Sequence, residues 1–71
     1  MDEEEAQILA FMVRNARRLA QVERAVAAAM GESASLTSSP VVAARRRGHA
    51  ESARGYALRQ DAYAGELAES G

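Results

Sequence analysis

The chain has 71 residues and no cysteine, which limits it to one small domain over residues 1–71 and excludes both a disulfide framework and a Cys-ligated zinc site. Its hydrophobic share of 48% is half alanine, 17 of 34 residues, and there is no Trp, so the side chains able to build a dry, substrate-sized pocket are few. Net charge is −1, with nine basic residues, all Arg, spread at −2 over residues 1–35 and +1 over 36–71, so neither half carries the excess of a dedicated nucleic-acid or membrane-surface binder.

From Asp2 to Met30 there is no Gly or Pro, and strong helix formers dominate. Asp2, Glu3, Glu4 and Glu5 stand where the helix macrodipole favours negative charge. The pattern predicts a helix over about 2–30, with Gly31 as the residue that ends it. The same acidic start is unlike the positive opening of a secretory signal, and no apolar run approaches the ~20 residues of a membrane span. A cytoplasmic protein with no membrane partner is expected.

On this helix Ile8, Met12, Asn15, Leu19, Val22, Val26 and Ala29 recur at alternating spacings of four and three, a coiled-coil seam of about three heptads with Asn15 as the polar register residue. Such a seam serves either a partner or the second helix of the same chain. A second line, Leu9, Phe11, Val13, Ala16, Ala20, Ala27 and Met30, widens the apolar face and implies more than one packing neighbour.

The Ser-rich stretch 31–39 reads as a loop, and Ser39-Pro40 reads as N-cap and first residue of a second helix over about 40–68. Gly48, Gly55 and Gly65 weaken this helix, each by about 1 kcal/mol relative to Ala, and a break near Arg47-Gly48 is conceivable on that ground. Val42, His49, Tyr56 and Tyr63 recur every seven residues, with Ala53 and Leu67 between, and form the expected inward stripe. Gly48, Gly55 and Ala62, continued by Ala44, form a flank smooth enough for a close helix crossing.

Arg45, Arg46 and Arg47 are the single concentration of positive charge and, with Arg54, are the residues that would touch nucleic acid or an acidic partner. Three consecutive helical residues diverge by about 100° each, which argues against one shared phosphate-facing surface. Catalysis has little support. His49 is the single histidine, its neighbours Glu51 and Ser52 do not form a nucleophile-base-carboxylate chain on one helix, and no phosphate-binding or metalloprotease motif is present. Hence no cofactor, metal or small-molecule substrate is expected.

Together these features predict an all-α, two-helix antiparallel hairpin, completed as a helical bundle by self-association or by a larger partner. The expected role is a non-catalytic interaction protein, an oligomerisation module or accessory subunit. Its partner interface is expected at Ile8, Met12, Asn15, Leu19, Val22, Val26, Tyr56, Tyr63 and Leu67. The alternative is a small dimeric regulator that contacts nucleic acid through the Arg45 to Arg47 turn.

Overall fold

A computed structural model describes residues 1–70 and shows two long helices, α1 (Glu3–Leu36) and α2 (Pro40–Ser70), joined by residues 37–39. No strand occurs among the described residues. The helices run antiparallel: Val13 and Ala16 meet Ala64 at the open end, and Ala27 meets Ala50 and Ala53 nearer the turn. The result is a rod with Cα extents of 56 × 13 × 10 Å.

Local chemistry fixes each end. The Asp2 carboxylate accepts from the Glu5 amide at 2.8 Å and caps α1, whose first turn carries Glu3, Glu4 and Glu5. At the turn Thr37 is extended, the Ser39 amide donates to Thr37 Oγ1 at 3.2 Å, and Ser39 Oγ accepts from the Val42 amide at 3.3 Å. Ser39 is thus the N-cap of α2 and Pro40 its first residue, where a missing N–H costs nothing.

The first helix does not stop at Met30. It continues through Gly31 and the serines to Leu36, because Ala34 is buried against α2 and tertiary burial outweighs the weak propensity of Gly and Ser. Gly31 has no left-handed φ, and its carbonyl accepts from Ser35 Oγ at 3.2 Å as well as serving the helix. Arg46 of α2 adds a tie, donating to the Ser33 carbonyl at 3.1 Å near the end of α1. Likewise α2 is continuous through Gly48 and Gly55 and extends to Ser70, two residues past the expected end.

The core is made of the smallest side chains. Every buried hydrophobic residue except Val13 is alanine: Ala16, Ala20, Ala27 and Ala34 on α1, and Ala43, Ala50, Ala53, Ala57 and Ala64 on α2. No large side chain is fully buried among the described residues. With α1 read as 9-13-16-20-23-27-30-34 and α2 as 43-46-50-53-57-60-64-67, every position is buried or half-buried, and both lines alternate by three and four. A seam of alanines lets two helices approach at the close end of the usual range of helix packing, about 8–10 Å. Methyl groups fill most of that space, with Val13 the one larger side chain buried there.

Candidate functional site

The alanine seam relocates both stripes read from the sequence. The α1 seam at 9, 13, 16, 20, 23, 27 and 30 is the expected stripe at 8, 12, 15, 19, 22, 26 and 29 moved by one residue, and one residue is about 100° of rotation. The stripe therefore faces a broad side of the hairpin and not α2. Ile8 is 53% exposed, Phe11 58%, Leu19 37% and Val22 52%, and Asn15 is exposed beside them. Met12 and Val26 are half-buried at the edge of the seam, with Val26 packed on the Ala27–Ala50–Ala53 cluster.

The same shift of one residue occurs in α2. The inward line is Ala43, Ala50, Ala57 and Ala64, so Val42, His49, Tyr56 and Tyr63 lie at its margin instead of in the core. Val42 and Tyr56 are half-buried, whereas His49 and Tyr63 are exposed. Ala53 and Leu67 do point inward; Leu67 packs on Val13, Ala16 and Ala64 and is used within the chain. The flank of Gly48, Gly55, Ala44 and Ala62 is not the close-crossing surface. Gly48 and Ala62 are exposed on the back of α2, and a Cβ at Gly48 would meet nothing within 4 Å.

Stepping back one residue from the seam on each of two facing antiparallel helices leads to the same broad side of the hairpin. That side carries Ile8, Met12, Leu19, Val22 and Val26 of α1 with Val42, Tyr56 and Tyr63 of α2. Stepping forward one residue leads to the other side, which carries Arg17, Arg24, Arg47, Arg54 and Asp61. The Arg24–Asp61 ion pair, at 2.6 Å, spans the two helices there. The first side is apolar along α1 only, since its α2 line also carries Arg45, His49, Arg59 and Glu66; the second, charged side also holds the exposed Leu58, and the expected interface residues other than Leu67 fall on the first side.

The arginine turn does not converge. Arg46 is half-buried and engaged by the Ser33 carbonyl, while Arg45 and Arg47 are exposed and leave α2 about 200° apart, on opposite sides of the hairpin. Arg54 joins the charged side with Arg47. His49, Glu51 and Ser52 are all exposed. No group of three or more metal-binding side chains gathers among the described residues. The surface depressions are open grooves along the rod, such as one of 380 Å³ over Phe11, Arg14, Asn15 and Arg18. No described helix is long and apolar enough to cross a membrane.

The second apolar line read on α1 is the buried one, since Leu9, Val13, Ala16, Ala20, Ala27 and Met30 all lie in the seam and Phe11 alone does not; the alanine repeat of α2 has no such counterpart in the sequence reading. Residues 20, 27 and 34 and residues 43, 50, 57 and 64 repeat alanine at intervals of seven, but a search weighted by hydrophobicity favours Leu, Val and Tyr over Ala. No family model, curated protein or solved structure matches this chain.

Proposed function

We propose that the protein is a non-catalytic helical interaction module that acts through the side of its hairpin bearing the α1 apolar stripe, as an oligomerisation element or as an accessory subunit of a larger assembly. One observation carries this reading: the alanine seam joins α1 to α2 without using Ile8, Leu19, Val22 or Tyr63, which stand exposed on one side. Large apolar side chains left outside the core along one helix face are what an association surface offers. Its α1 rim is supplied by Phe11 and Arg18, residue types favoured at interfaces. The nucleic-acid alternative has less support, because Arg45, Arg46 and Arg47 diverge and one of them is occupied within the fold.

The thin core adds a second line of support. Each alanine methyl contributes about 0.8 kcal/mol on burial, whereas ordering each residue costs about 1.5 kcal/mol, so the hairpin by itself is marginal. The reading predicts that the purified chain is either associated or incompletely folded. Light scattering with thermal circular dichroism decides it, and a monomer that melts cooperatively at micromolar concentration would sink the proposal.

A further inference from the structure

We infer that the outer stripe of α1 is covered by α1 of a second copy of this chain, running parallel and in register. The inference rests on the interaction reading above and adds the partner and its direction. In heptad terms the stripe has Met12, Leu19 and Val26 at a and Ile8, Asn15, Val22 and Ala29 at d. It lies about 100° around α1 from the alanine seam, so α1 can pack on α2 and on a second helix at once.

Two polar features select the partner and its orientation. A parallel, in-register pair sets every seam residue against itself, so the Asn15 amides of the two copies meet and each can donate to and accept from the other. In an antiparallel pair a faces d, and the register that buries most of the stripe, Ile8 on Val26 and Met12 on Val22, leaves Asn15 facing Leu19 with no polar mate. The flanking charges agree. Arg18 at g and Glu23 at e are five residues apart, the offset at which g of one parallel helix meets e of the other, and twofold symmetry makes that pair twice. Arg18 is exposed and Glu23 is half-buried at the margin of the α2 seam, and within the hairpin neither has an ion-pair partner, since the single ion pair among the described residues is Arg24–Asp61. The antiparallel register instead places Arg18 on Arg18 and Glu4 on Glu32, like charges in both cases.

The absence of cysteine makes a thiol test clean. Ile8→Cys is placed at an exposed position near the start of α1 and is oxidised in a glutathione buffer, alone and mixed with Val26→Cys. Gly48→Cys, on the back of α2, serves as control. The parallel pair predicts that Ile8→Cys alone becomes mostly covalent dimer. In the antiparallel pair its thiols would lie roughly 27 Å apart, so a covalent dimer formed only in the mixture would overturn the direction while leaving the interaction reading intact. Cross-linking no greater than that of Gly48→Cys would overturn self-pairing altogether. As a second measurement, Arg18→Glu should raise the dimer dissociation constant severalfold at low salt and by less at high salt. An unchanged constant would overturn the register.

Discussion

Alanine at positions 20, 50, 57 and 64 sets the distance between the helices, and this makes the smallest side chains the least replaceable. Ala20 is fully buried between two backbones, so Ala20→Leu adds apolar surface yet has no room for it. Denaturant unfolding should show it less stable by about 1–3 kcal/mol, the usual range for overpacking. Glycine behaves in the opposite way. Gly48 is helical and its missing Cβ faces open space, so Gly48→Ala should stabilise by about 1 kcal/mol, seen as a rise in Tm of roughly 4–8 °C at fixed protein concentration. Asn15 separates the two environments available to the outer stripe. Buried in a seam between copies, Asn15→Leu raises Tm while relaxing oligomeric specificity, and an unchanged Tm and mass would put Asn15 in water.

The two elements differ in what their outer sides offer. The outer side of α1 is a near-continuous apolar stripe, whereas the corresponding line of α2 alternates Val42, His49, Tyr56 and Tyr63 with Arg45, Ser52, Arg59 and Glu66. Their ties across the hairpin also differ in worth. Arg24–Asp61 is half exposed, so Arg24→Ala should change stability by no more than about 0.5–1 kcal/mol and less at high salt. Arg46 is half-buried and caps a carbonyl of the last turns of α1. Arg46→Ala should cost about 1–2 kcal/mol, and exchange of the amides at residues 31–36 should speed up more than that of residues 13–27.

Helix number, antiparallel hairpin, the Asp2 and Ser39-Pro40 starts and the residues of the apolar stripe were all legible in the sequence, because caps and periodicity are local signals. Two things were not. The extension of α1 past Gly31 depends on Ala34 meeting α2, a long-range contact that outweighs what the string ESAS suggests by composition. The orientation of the stripes depends on which residues can bring two backbones closest, and that contest is won by alanine lines that add little to a hydrophobicity pattern. A shift of one position turned Leu19 and Val22 from core candidates into surface ones.

At the scale of the whole molecule, a 56 Å rod with a core of alanines and one valine keeps its larger apolar residues for a neighbour. Association and folding are then linked, and Tm rises with protein concentration. Two charges placed in the stripe, Leu19→Glu with Val22→Glu, do not touch the alanine seam and should abolish association while leaving the helical sequence pattern of the seam intact. Sedimentation equilibrium of the wild-type chain across a range of micromolar concentrations, beside that double variant, tests the central claim most directly. Wild-type masses should rise with concentration above the 7.6 kDa of one chain, and the variant should stay at 7.6 kDa. A folded wild-type chain that remains at 7.6 kDa throughout, indistinguishable from the variant, would contradict that claim.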